Sequence, residues 1–586
     1  MRQSGKLDKP KNKKAVLRRL GDYLLPYKGR LLLAFILMLG SNLLMLVGPM
    51  LAGYAIDAIK PGAVDFSQVY YYAGLMVAFY LGSALLIYCL ELLMISISRK
   101  VTYNMRKDTF NHLMDLPVGY FDSHATGDVI SRISYDIDTI NASLASDLVQ
   151  MGSSFIIVTG SLAMMMTISL KLMGIFVVTV PISLLVSRYL VKKTRPLFSQ
   201  RSKKLGQLNA YGEEMVTGLH ALRVYGQEDN TIRNYDQKNQ EAVDAYYQAE
   251  YHGSMVYPSV NLINNLSLSM IAVLGALFFL NGSMSIGMIS SFILYSRKFS
   301  GPINEMANLT SDIQSSLAAA ERVFALLDKA AEKQDSQDAA TLSAINGQVQ
   351  FENLQFGYEP DQIIIRDLNL KIHPGNLVAI VGPTGAGKTT IINLLMRFYD
   401  TDEGFIYIDE EEVRAIKRDD LRASFAMVLQ DTWLFQGTIF ENLAYGNEHA
   451  TREQVIKAAK AARIHSFIER LPEGYETVLS EEGTNISKGQ KQLLTIARAM
   501  LLDARMLILD EATSNVDTRT EKKIQAAMRE LMKDKTCFVI AHRLSTIENA
   551  DLILVVDDGK IVEEGSHQEL MAREGKYWRL YQAQYL

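Results

Sequence analysis

Cysteine is nearly missing from this 586-residue chain, which has two, Cys89 and Cys537. Thiols so distant in sequence support neither a disulfide framework nor a metal centre. Both lie in apolar stretches, where a free cysteine packs as a small hydrophobe. An excess of one charge is missing too. Sixty lysines and arginines against 64 aspartates and glutamates leave a net charge of −4, so no basic surface points to nucleic acid. The first long apolar run has no cleavage signal after it and is too long for a signal-peptide core. No protease-like N-terminal domain precedes it, which argues against a dedicated peptide-maturation role.

What the chain has is asymmetry. Its mean hydropathy is near zero, yet apolar runs fill the first half, while the second mixes charge with short apolar segments as a soluble α/β domain does. Residues Leu31 to Ile56 carry no charged side chain, long enough for a hydrocarbon core that needs about 20 helical residues. Further spans are expected at Val69–Leu90, Leu148–Leu170, Leu172–Leu190, Val256–Leu280 and Ile286 to about Leu309. Pro181 and Arg188 interrupt the fourth; Arg297 and Lys298 lie inside the sixth. A helix that continues past the lipid or faces a polar cavity accommodates such residues. Lysine and arginine crowd the stretch before the first span and the long connections 99–147 and 192–253, whereas the loops at 57–68, 171 and 281–285 are nearly free of them. This bias places the N-terminus, both long connections and the C-terminal half in the cytoplasm. The long connections hold few helix breakers. They are expected to be cytoplasmic extensions of the membrane helices that reverse near 116–122 and 218–230, with Phe121 an apolar knob for docking on the second half.

Gly382-Pro383-Thr384-Gly385-Ala386-Gly387-Lys388-Thr389-Thr390 follows the apolar run Leu377–Val381 and precedes the helix-like Ile391–Phe398. Strand, glycine loop and helix in that order make a phosphate cradle: backbone N–H groups surround phosphate oxygens at a helix N-terminus. Lys388 can reach the outer phosphates and Thr389 can hold Mg²⁺. Met506-Leu507-Ile508-Leu509-Asp510-Glu511 is an apolar strand ending in two acids. A buried parallel strand delivers such residues to the crevice at its C-terminal end. There Asp510 suits the Mg²⁺ shell, through water, and Glu511 is placed to polarise the attacking water.

With these motifs in this order, the chain resembles the ATP-binding cassette family over nearly its whole length: six spans and then one cassette, as in exporter-type half-transporters. The resemblance implies roles for further residues. Tyr358 would stack on adenine. Gln430 would join Thr389 and Asp510 around Mg²⁺ and couple to the membrane domain. His542 would contact the γ-phosphate, Asp517 would lie on the loop across the dimer, and Glu481 would touch the coupling turns. Leu116-Pro117, Phe121-Asp122, Gly127-Asp128 and Arg132 also resemble exporter relatives. The family's signature, L-S-G-G-Q, reads Ile486-Ser487-Lys488-Gly489-Gln490 here. In the family this segment reaches ATP held by the opposite subunit. Lysine at 488 adds a Cβ and a long side chain where glycine allows close backbone approach, which disfavours hydrolytic positioning at that site. An altered signature beside an intact Glu511 resembles the catalytic-glutamate-bearing subunit of bacterial heterodimeric multidrug exporters.

The expected architecture is a six-helix transmembrane domain with long cytoplasmic helix extensions (1–326), a linker (327–346) and an α/β P-loop nucleotide-binding domain (347–586). The expected function is ATP- and Mg²⁺-dependent export of small amphipathic molecules across the cytoplasmic membrane by alternating access. The partners implied are the bilayer and a second half-transporter subunit, a heterodimer in preference to a homodimer. Alternatives are a lipid or peptide exporter, an importer on the same fold, and an ATP-gated channel or regulatory subunit. Met164, Met165, Met166, Phe278 and Phe279 suit promiscuous apolar ligands, and Asn261, Asn264 and Asn265 could line a cavity or bond between helices. Neither group singles out a substrate.

Overall fold

The computed structural model describes residues 12–60, 63–336, 338–341, 345–359, 362–401, 403–429, 432–480, 483, 485–510, 517–540 and 547–585, the side chains of 63, 303, 304, 307, 308, 584 and 585 excepted. The chain forms two compact units. One comprises Met1–Asp115 with His124–Lys329; the other comprises Leu116–Ser123 with Ala330–Leu586.

The first unit is helical because its apolar residues run on without the alternation a half-buried strand needs. Among the described residues, five helical segments are long and apolar enough to cross a membrane: Lys13–Asp57, Phe66–Met114, Thr126–Ile168, Leu170–Thr217 and Glu228–Leu280. A further helix, Ile286–Leu327, carries Arg297 and Lys298 and packs in the same bundle, burying Phe292, Tyr295 and Phe299. Five segments meet the criterion where the sequence reading expected six. Large apolar side chains such as Leu32, Phe35, Leu81 and Leu85 stay exposed along the first two spans, the mark of helices whose solvent is lipid. Phe66–Met114 has 49 residues, about 74 Å at 1.5 Å per residue and more than twice the roughly 30 Å hydrocarbon core. The chain then leaves helix at Asp115–Pro117, re-forms a short helix at Val118–Ser123 and turns back from Thr126. The second reversal follows Leu170–Thr217, through Leu219–Val224, into Glu228–Gly253.

The second unit is α/β. Its main sheet runs Lys560–Gly565, Leu552–Asp557, Leu377–Val381, Thr536–Ile540, Met506–Asp510, Phe425–Val428, with only the first strand antiparallel. The central strands are apolar on both faces, as parallel strands covered by helices must be. Alternate residues feed two cores: Ala379, Leu507, Val539 and Ile553 one, Val378, Ile508, Phe538 and Leu554 the other. A smaller antiparallel sheet runs Ile365–Ile372, Val349–Phe356, Glu403–Ile408, Glu411–Glu412. The linker is tied down by charge: Glu332 pairs with Arg422, and Asp335 pairs with Arg397 and Arg418.

Candidate nucleotide site and membrane cavity

The strand Leu377–Val381 lies between Thr536–Ile540 and Leu552–Asp557, so the chain emerging after Val381 opens into the crevice at the C-terminal edge of the sheet. Gly382 then takes a φ of +155°, and a Cβ there would lie 2.1 Å from the Val556 carbonyl oxygen. Gly387, at φ +104°, caps the helix Lys388–Leu395, and a Cβ on it would meet Ile365 at 2.8 Å. Only glycine satisfies both space and backbone at these points. The crown of the loop, Pro383, Thr384 and Gly385, is exposed, while Ala386 and Thr390 are buried beneath it.

The Lys388 ammonium donates to the carbonyls of Gly382 (2.8 Å) and Pro383 (2.9 Å). Burial pushes its pKa below the usual lysine value, and the Asp510 charge acts in the opposite direction. Asp510 ends its strand in register with Ile540, which is in register with Ile380, so all three strands end at one edge. The donors fit Mg²⁺, which takes one or two carboxylates together with substrate phosphates: Thr389 offers an exposed hydroxyl on the first helical turn and Asp510 a carboxylate. Glu511, His542, Gln430 and Glu481 lie outside the described residues.

Tyr358 stands beside the loop. Its hydroxyl is 3.3 Å from the Thr390 hydroxyl and accepts from the Asn393 amide at 3.1 Å, and its ring is partly exposed. The ring also meets Tyr399 edge-on at 4.9 Å between centroids. The Tyr399 hydroxyl in turn donates to Asp122 at 2.6 Å, and a Cβ on Gly119 would sit 2.7 Å from the Tyr399 ring. The short helix Val118–Ser123 thus seats on an aromatic group reaching back to Tyr358. Phe121 is 42% exposed and meets Tyr120 edge-on, whereas Tyr120 is buried. Sequence reasoning missed Tyr399. Its one signal was the run Arg397-Phe398-Tyr399-Asp400 at the exit of the P-loop helix.

Ser487, Lys488, Gly489 and Gln490 open the helix Lys488–Leu502. Ser487 Oγ accepts from the Gln490 N–H, and the Gln490 side chain accepts from the Ser487 N–H at 2.8 Å, a reciprocal cap on the helix start. Lys488 is exposed at the first helical position and is not among the residues with positive φ. Lysine is therefore accommodated without backbone strain, and its effect is bulk and charge toward whatever faces the helix end. Asp517 caps Thr518–Met532, accepting from the N–H groups of Thr520 (3.0 Å) and Arg519 (3.1 Å), and these bonds hold its carboxyl below the usual range. Arg498 of the signature helix donates to the carbonyls of Asn442 and Trp433. It holds a surface where Leu429, Trp433, Phe435 and Tyr445 are exposed.

The helical unit holds a cavity of about 320 Å³ between Leu170–Thr217, Val256–Leu280 and Ile286–Leu327. Its lining has no charged side chain; Thr179, Ser183, Ser187, Asn264, Ser267 and Ser300 face apolar residues including Phe176, Leu184 and Phe299.

Comparison with known proteins matches residues 31–303 to the ABC transporter transmembrane region and residues 365–514 to the ABC transporter family model. The chain is 40% identical over 577 residues to an uncharacterized ABC transporter ATP-binding protein, YfiC, of Bacillus subtilis (98% of this chain, 95% of the relative). It is 43% identical over 526 residues to a fatty acid ABC transporter ATP-binding/permease protein of Mycobacterium bovis (90% and 83%). A bacterial Atm1-family ABC exporter solved with ATP bound superposes with a TM-score of 0.74 at 30% identity, covering 98% of this chain and 99% of that one.

Proposed function

The chain belongs to the ABC transporter family, and from that premise we propose that it is one half of an ATP-driven exporter of small amphipathic molecules, paired with a different second subunit. It is an exporter-type half-transporter, a multi-pass membrane protein with a cytoplasmic ATPase domain that couples hydrolysis of ATP with Mg²⁺ to transport.

The helix Ile286–Leu327 serves as the sixth span. Tyr358 receives the adenine, the loop Gly382–Thr390 the phosphates, and Thr389, Gln430 and Asp510 the Mg²⁺, the last through water. Bound Mg²⁺ neutralises charge developing on the phosphates. Glu511 polarises the attacking water and His542 holds the terminal phosphate. The exposed surface of Leu429, Trp433, Phe435 and Tyr445 is a contact site, since apolar patches of this kind mark such sites.

The heterodimer rests on one observation, Lys488 exposed on the first turn of the signature helix in a chain that retains Glu511. A lysine there adds a flexible cation where the partner's phosphate must be held in one geometry, and small displacements lower rate steeply. The chain's own P-loop and Glu511, completed by an unaltered partner signature, then form the hydrolytic site. Purification from native membranes tests this. The account expects a second half-transporter with an L-S-G-G-Q-type signature, and little substrate-stimulated ATPase activity from this chain alone; full stimulated activity of the lone chain contradicts it.

For the substrate, the uncharged, hydroxyl-dotted cavity suits amphipathic molecules, and one relative's name, fatty acid ABC transporter, favours lipid within that class.

A further inference from the structure

We infer that Lys298 is a binding site for the anionic headgroup of an amphipathic substrate, set within the bilayer on a carbonyl that Pro49 leaves open. The inference rests on the export reading above and narrows its substrate class.

The helix Lys28–Asp57 contains Pro49. Proline has no N–H, so the carbonyl of Met45, four residues earlier, loses its helical donor. The helix Ile286–Leu327 supplies polar groups along this stretch. Ser291 donates to the Pro49 carbonyl at 2.9 Å, Tyr295 to that of Leu46 at 2.6 Å, and Lys298 to that of Met45 at 3.0 Å. The register is fixed at the helix ends, where Asp57 accepts from the Ser285 hydroxyl (2.6 Å) and the Gly287 N–H (2.8 Å). Close approach at Gly53 and Gly287 holds it there, because a Cβ on Gly287 would meet the Gly53 carbonyl oxygen at 2.0 Å.

Lys298 lies twelve residues beyond Ile286, the start of its helix, and Met45 lies twelve before Asp57, the end of the other. At 1.5 Å per residue, both stand about 18 Å from those ends, deep in a core about 30 Å thick. An ammonium at that depth is expensive, and such groups pair or mark a ligand path. The ion pairs of the helical unit among the described residues, Arg19–Asp328, Arg106–Asp138, Arg201–Glu250, Lys204–Glu241 and Arg322–Asp136, leave Lys298 out. Among the described residues its one polar partner is the Met45 carbonyl, and its side chain is only part-buried. Satisfying one open carbonyl needs a donor, which a neutral amide supplies without burying a charge. The charge is therefore spare, and it suits a carboxylate or a phosphate ester on an apolar chain.

The test uses the complete transporter, purified with any partner subunit from its native membranes and reconstituted in phosphatidylcholine vesicles. ATPase stimulation is titrated with oleate, monododecyl phosphate and oleyl alcohol for the wild type, Lys298→Gln and Lys298→Arg. Glutamine keeps a donor for Met45 and drops the charge; arginine keeps the charge. The expected result is that Lys298→Gln raises the half-stimulating concentration of an anion about tenfold, the scale of one charge-assisted bond. Oleyl alcohol shifts less than about twofold on that scale, and Lys298→Arg restores most of the anion response. A shift confined to oleate assigns a carboxylate, and one confined to the phosphate ester assigns a phosphate. Equal responses of wild type and Lys298→Gln to the anions, or equal losses for anions and alcohol, overturn the inference and leave the export reading standing. Absence of stimulation by all three compounds overturns both.

Discussion

A half-buried ammonium over a glycine loop has few uses besides holding phosphate. Lys388 is held by the carbonyls of Gly382 and Pro383, and the glycines around it stand where a Cβ would collide with Val556 or Ile365. Truncation as Lys388→Ala leaves this packing intact and removes the cation. The expectation is an unchanged fold by circular dichroism and a loss of ATP turnover by about 100-fold or more, the scale set by deleting one preorganised donor to developing charge. Retained turnover would remove Lys388 from the site. This part of the molecule was readable in the sequence, because strand, loop and helix are contiguous and every requirement is local. The cation at position 298 was visible only as an oddity inside an apolar run. Its partner, Met45, is 253 residues away, and no periodicity points to a carbonyl freed by a proline on another helix.

Among the elements, the short helix Val118–Ser123 is the one whose seat tests the coupling we propose. The reversal that contains it was expected from Leu116-Pro117 and from the polar character of its flanks. Its seat was not, since Asp122 and Tyr399 are separated by 277 residues and Tyr399 belongs to no motif the sequence reading used. Because a Cβ on Gly119 would lie 2.7 Å from the Tyr399 ring, Gly119→Val is expected to push the turn off this seat. The result would be ATP hydrolysis that persists but no longer rises with substrate, measured as the ratio of stimulated to basal ATPase in the complete transporter. An unchanged ratio would show that the seat carries no coupling. The same aromatic group adjoins the linker anchor. Asp400 is pushed up by burial but held below the usual carboxylate range by its bond to Arg397 and the charges of Arg418, Arg397 and Lys333. A carboxyl depressed in the folded state stabilises fully above its unfolded pKa of about 3.9 and loses that contribution as pH falls through the folded value. The midpoint of thermal unfolding of the ATPase unit is expected to fall below about pH 4, with a shallower fall in Asp400→Asn. Equal slopes would exclude Asp400 from the acid response.

Across the whole molecule, the two halves obey different solvents. The helical unit leaves Leu32, Phe35, Leu81 and Leu85 exposed, while the central strands of the α/β unit bury alternate residues in two cores. That division was legible in hydropathy alone. The number of spans was less so, because Arg297 and Lys298 dilute the apolar character of Ile286–Leu327, a helix whose polar groups answer carbonyls on another helix. Lys488 was readable as a departure that adds bulk and charge to the signature, and the helical conformation at that position shows that the lysine carries no backbone strain. The central claim is that hydrolysis on this chain drives an amphipathic molecule outward. It is tested most directly by uptake of a fluorescent fatty acid into inside-out vesicles holding the complete transporter, with ATP and Mg²⁺, for the wild type and Glu511→Gln. The account predicts accumulation above the external concentration with the wild type and none with the variant, although the variant still binds ATP; equal uptake by both, or uptake that only levels the gradient, would contradict it.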